Sequence, residues 1–129
     1  MNQPQLATPI RFRFGAILIY LLSFLLLGSA LVKFARVPEP TSQLAALGFG
    51  GLKLFWVAAL ETTSAALFAY PRTRSFGLLM ISAYLGGAIA THVGHDQLTA
   101  FRPAVVLALF WLACWLRHPQ TLWTVPRSA

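Results

Sequence analysis

The stretch LKLFWVAALETTSAALFAYPRTRSFGLLMISAYLGGAIATHV, residues 52–93, holds two long apolar runs separated by little more than Pro71-Arg72-Thr73-Arg74. Each run approaches the roughly 20 apolar residues that a helix needs to cross a hydrocarbon core. Pro71 ends the first because it lacks an amide donor, and so short a basic connection forces the two helices to lie antiparallel. The reading is a pair of membrane spans, about 52–70 and 76–93, the first interrupted only by Glu61.

Outward from this pair, a further apolar run covers about 14–35 and is barred from continuing by Pro38-Glu39-Pro40. Arg11 and Arg13 before it and Gly28-Ser29-Ala30 near its end resemble a signal peptide, but the run exceeds the roughly 7 to 15 apolar residues of a signal core and is read as a retained span. A polar, glycine-rich loop is expected next. Its Gly48-Phe49-Gly50-Gly51 departs from nucleotide-binding spacing and follows no strand, so it reads as a flexible connection. On the other side, Pro103 to Leu116 is a shorter apolar run, extended to a span of about 103–118 if Arg102 and Arg117 snorkel and Pro103 occupies the first helical turn. A re-entrant or interfacial segment is its rival. The expected fold over residues 1–129 is all-α, a single four-helix transmembrane bundle with antiparallel neighbours.

Composition agrees: 57% of the 129 residues are hydrophobic and 10% charged, against roughly 25% charged in a soluble domain. The net charge of +7 does not form one patch; its arginines and lysines edge the apolar runs, as topology-setting charges do, so no nucleic-acid partner is expected and the lipid bilayer is. Arg11, Arg13, Arg72, Arg74, Arg117 and Arg127 would share one side and Arg36 and Arg102 the other, with Lys33 and Lys53 near it, which places both termini in the cytoplasm. Trp56, Trp111, Trp115, Trp123, Tyr20 and Tyr70 fall mostly near span ends and suit interfacial anchoring. The lone Cys114 permits no intrachain disulfide and reads as a small buried hydrophobe.

Polar residues within the spans are the candidate site. Glu61 lies about nine residues into its span, near mid-membrane at roughly 1.5 Å per residue, where an acid should face the bundle and find a partner or be protonated. Ser29 and Lys33, four apart, share a helix face near the outer end of the first span. Lys33 either snorkels outward or reaches inward to form one cluster of Ser29, Lys33, Glu61 and Tyr84. Ala83, Gly86, Gly87 and Ala90 provide a small-residue face that suits close helix packing. His92 continues the Tyr84 face towards the outer mouth, while His95 and Asp96 lie beyond Gly94, the expected helix stop. His92-x-x-His95-Asp96 lacks the fourth ligand of a structural zinc site, and no metal is assigned to it.

GSALVKF with Ser29 and Lys33, VAALETTSAAL with Glu61, AYPRTRSFG, AYLGGAIATHV and FWLACWLRHP, in that order over about residues 15–119, resemble the DoxX-like family of small four-helix membrane proteins. The resemblance implies that Ser29, Lys33, Glu61, Thr91 and His92 occupy the family's recurrent polar positions; the glycine usual after the first-span serine is Ala30 here. It also implies an inner-membrane protein of a prokaryotic-type cell, linked to a quinone-dependent redox system through a partner subunit. Two functions are therefore expected in competition. One is a redox subunit that binds a quinone, with no intrinsic cofactor and no autonomous catalytic motif. The other is a non-enzymatic binding, carrier or assembly module. Four short helices leave little interior, so a homo-oligomer is expected.

Overall fold

The computed structural model describes residues 8–118, and these form five α-helices: α1 (Thr8–Phe34), α2 (Pro38–Ala46), α3 (Leu52–Ala69), α4 (Arg74–Gly94) and α5 (Phe101–Arg117). Four of them are long and apolar enough to cross a membrane: residues 10–34, 52–69, 74–94 and 98–117. The last includes a 3₁₀ turn, Leu98–Ala100, that leads directly into α5. This addition lengthens the segment that looked too short from Pro103 onward. Trp123 and Arg127 lie outside the described residues.

The long helices pack in the ring order α1, α3, α4, α5, each against two others. Their shared core includes Ile19, Leu22, Leu26, Ala65, Phe68, Ile81, Phe110 and Ala113, with Phe68 and Phe110 edge to face at 4.9 Å. Outward surfaces are equally apolar: Ile17, Phe24, Leu25, Leu79 and Val105 are exposed. Such a surface is stable only against lipid.

One end of the bundle is built from arginines and helix-terminal carbonyls. Arg11 donates to the Trp115 carbonyl at 3.1 Å and stacks over its indole, while Arg117 donates to the Phe12 carbonyl at 3.3 Å. The reciprocal pair holds the start of α1 beside the finish of α5. At the same end, Arg74 donates to the Phe68 and Ala69 carbonyls, which the last turn of α3 would otherwise leave unpaired. Its third contact is the His118 ring, 2.8 Å away, whose Nε2 accepts from Nη1. Burial, then the guanidiniums of Arg74 and Arg117, hold the His118 imidazole below its ordinary pKa.

At the opposite end, two helices finish with the same device. Val37 N–H bonds back to Val32 O with Arg36 left-handed, and Gln97 N–H to His92 O with Asp96 left-handed. These are Schellman-type closures. α4 ends at Gly94 as expected; what is corrected is the left-handed residue of the closure, which is Asp96, a type that tolerates the conformation. The loop expected after α1 is corrected too. Residues 38–46 form α2, with proline in the first turn, where no amide donor is needed, and Glu39 complementing the helix N-terminus. Gly48 and Gly51, both at positive φ, then return the chain to α3.

Close helix approach occurs at glycines other than the expected ones. A Cβ on Gly77 would run into the Phe68 backbone of α3, and one on Gly15 would meet the Arg117 nitrogen at 2.9 Å. Gly86 and Gly87, by contrast, have open space around them. Gly77→Ala is therefore expected to lower stability by roughly 1–3 kcal/mol, whereas Gly86→Ala leaves it unchanged or slightly raised; thermal unfolding in detergent compares the two. The same measurement across pH tests the basic end. A histidine held below its ordinary pKa in the fold contributes fully above about 6.5, and that contribution is lost as pH falls from there through the lowered folded value. His118→Gln should remove this acid-side loss.

Candidate functional site

Lys33 stands in the last turn of α1, where a cation is favoured by the helix dipole. Its ammonium reaches inward. Lys33 Nζ lies 2.6 Å from Glu61 Oε2 on α3 and 2.6 Å from Ser29 Oγ one turn earlier on α1. Only 2% of the Glu61 side chain and 10% of the Lys33 side chain are exposed, so the carboxylate has exchanged water for this one cation. Tyr84 of α4 stands beside the group, its half-buried phenol near enough to feel the Glu61 charge. Ser29, Lys33, Glu61 and Tyr84 thus meet, three helices contributing to one polar cluster.

Hydroxyls elsewhere in the spans are occupied within their own helices. Ser23, Thr62, Ser64 and Thr91 bond to the carbonyls of Ile19, Ala58, Leu60 and Gly87, four residues back in each case. Thr91 therefore joins the site only as a wall residue.

A cavity of about 270 Å³ adjoins the cluster. Its walls are Val57 and Leu60 of α3, Ala83, Tyr84, Gly87, Ala88, Thr91 and His92 of α4, and Leu44, Leu47 and Phe49 from α2 and the turn after it. The small-residue face of α4 does not bring a neighbouring helix close; Ala83 and Gly87 instead leave this space open. A second, wider groove of about 780 Å³ lies at the same end of the bundle and is lined by Lys33, Gln43, Asp96, Gln97 and Arg102 among others. His92, Leu44 and Leu47 border both.

His92 does not contact the ion pair. Its Nδ1 lies 2.7 Å from Gln97 Oε1 and 3.3 Å from Thr99 Oγ1. With the amide oxygen as acceptor, Nδ1 carries the hydrogen and Nε2 of the neutral ring is the accepting nitrogen. His95 donates from its Nδ1 to the Thr91 carbonyl at 2.9 Å and so caps α4. Among the described residues, no three His, Cys, Asp or Glu side chains gather as a metal centre would require. Gln97, Thr99, Leu44 of α2 and Leu47 just after it are additions to the site that no pattern in the sequence singles out, because a chain reversal or a separate helix brings each of them in.

The family model of the DoxX-like family matches residues 17–114, and the chain belongs to that family. Ser29, Lys33, Glu61, Tyr84, Thr91 and His92 all fall within the matched region. No curated protein and no solved structure matches the chain.

Removing one member of a buried ion pair strands the other, at a cost of about 3–5 kcal/mol, whereas replacing both by apolar side chains of similar size is often neutral. Lys33→Met is accordingly expected to destabilise the protein by that order, and Lys33→Met with Glu61→Leu to recover most of the loss. Thermal melting of the single and double variants checks this.

Proposed function

We propose that this DoxX-like protein is the membrane subunit of a quinone-linked redox system, in which the cluster of Lys33, Glu61 and Tyr84 binds a quinone headgroup and exchanges protons with it. The observation that carries the reading is the double position of Tyr84, which both engages the buried Glu61 and lines the apolar cavity. A site for a quinone needs hydrogen-bond donors and a titratable group inside an apolar pocket. The residues present fit that need. At about 270 Å³ the cavity exceeds the roughly 150 Å³ that accepts a benzene ring, so a substituted ring has room and an apolar tail would lie outside, among lipid.

When bound, a quinone would take up two electrons, delivered by a separate redox protein, together with two protons. The chain's own part is to position and to supply protons. Tyr84 would donate its hydroxyl hydrogen bond to a headgroup oxygen, Glu61 would hold a proton behind it, and Lys33 with Ser29 would fix Glu61 in place. His92, whose Nε2 can accept a proton from the wider groove, would connect the cluster to water.

Five arginines among the described residues at one end support an orientation with that end, and both termini, in the cytoplasm of a prokaryotic-type cell whose inner membrane the protein spans. The small interior supports assembly with a redox partner or a second copy. One observation favours a second reading, a non-enzymatic membrane binding, carrier or assembly module: the Lys33–Glu61 pair ties α1 to α3, as a purely structural brace would.

The two readings separate on the quinone content of protein purified in mild detergent. We expect wild type to retain a quinone and Tyr84→Phe to retain roughly threefold to tenfold less, the effect of one lost hydrogen bond. Glu61→Gln should abolish quinone-dependent turnover in membranes. Quinone content and turnover unchanged in both variants, with only the melting temperature lowered, would overturn the redox reading in favour of the brace.

A further inference from the structure

The arginine end carries a second cavity, remote from the Lys33 cluster. Arg74, only 6% exposed, donates three N–H groups to neutral acceptors: the Phe68 and Ala69 carbonyls and the His118 ring. A guanidinium has five. One hydrogen on each terminal nitrogen remains, and among the described residues no anion lies beside the charge. Nor can an acidic side chain of this chain supply one. The three that exist are Glu39 in α2, Glu61 paired with Lys33, and Asp96 beyond α4, all away from this end.

Arg74 lines a groove of about 410 Å³ between α4 and α5. From the guanidinium the groove follows one stripe of α4, through Leu78 and Leu79, against Trp111 and Cys114 of α5. It is closed at the far end by a hydrogen bond, 3.1 Å long, from Trp111 Nε1 to Ser82 Oγ. Eight residues separate Arg74 from Ser82, about 12 Å along a helix. The groove is charged at the end of a span and apolar along its depth.

We propose that this groove binds an anionic phospholipid, its phosphate on the Arg74 guanidinium and the start of an acyl chain against Leu78, Leu79 and Trp111. Arg74 is the first residue of α4, which puts the charge at headgroup depth. Zwitterionic lipids also carry a phosphate, but the neighbouring arginines repel their cationic group. A soluble anion would use the guanidinium and leave the apolar wall without a function.

The test is native mass spectrometry of the full-length, delipidated protein titrated with phosphatidylglycerol or phosphatidylcholine, with inorganic phosphate as competitor. We expect one phosphatidylglycerol to bind at least tenfold more tightly than phosphatidylcholine, and Arg74→Gln to lose that preference. Because Arg74 also holds the end of α3, Leu79→Trp provides an independent arm. It fills the groove from an exposed position, leaves Arg74 in place and should lose the lipid. Equal binding of the two lipids, phosphatidylglycerol retained by Leu79→Trp, or its displacement by millimolar phosphate would each overturn the proposal.

Discussion

A carboxylate in the middle of a membrane span is the constraint around which the molecule is arranged. Left alone in hydrocarbon, Glu61 would cost several kcal/mol, by estimates that range from about 2.5 upward. Lys33 Nζ at 2.6 Å meets that demand, and it can do so only if the finish of α1 lies against the centre of α3. A lysine suits the task because its long apolar stem runs along neighbouring side chains while the ammonium travels about a helical turn from its own backbone. The pair therefore fixes the relative height of the two helices, which an apolar seam specifies weakly when lipid solvates both surfaces equally well.

Committing Glu61 to Lys33 determines the electrostatics of the rest. With only three acidic side chains in 129 residues, the others go to turn chemistry: Glu39 to the first turn of α2 and Asp96 to the left-handed closure of α4. The arginine end is consequently assembled without a single carboxylate side chain. Its guanidiniums bond to main-chain carbonyls, that of Phe12 early in α1 and those of Phe68, Ala69 and Trp115 in the last turns of α3 and α5. Carbonyls near helix C-termini are partial negative charges fixed in space, so they organise cations without adding a titratable group.

The spans and the polar cluster were legible because both follow from one-dimensional rules. Apolar length marks a crossing, and counting residues from the span ends puts Ser29, Glu61 and Tyr84 within reach of the long Lys33 side chain. What escaped depends on contacts between segments far apart or on the exact placement of small residues. Arg74 and His118 are 44 positions apart, with no periodicity to connect them. α2 was hidden because prolines read as a barrier to the preceding helix, although the same residues open a new one. Small residues were ambiguous in a different way. An absent side chain permits close approach, as at Gly77, or leaves a void, as at Gly87, and the sequence is identical in the two cases.

That void bears directly on how the proposed site would operate. Ala83 and Gly87 open it on the flank of a spanning helix, a face in contact with lipid. The wider groove opens at the end of the bundle among Lys33, Asp96 and Arg102, a face in contact with water. His92 borders both, with Nδ1 committed to Gln97 and Nε2 left as acceptor. An apolar ligand and a proton thus have separate approaches of opposite polarity that meet at one imidazole. A site that exchanges protons with a lipid-soluble molecule requires both, since a ligand entering through lipid brings no water with it and protons do not cross hydrocarbon unaided.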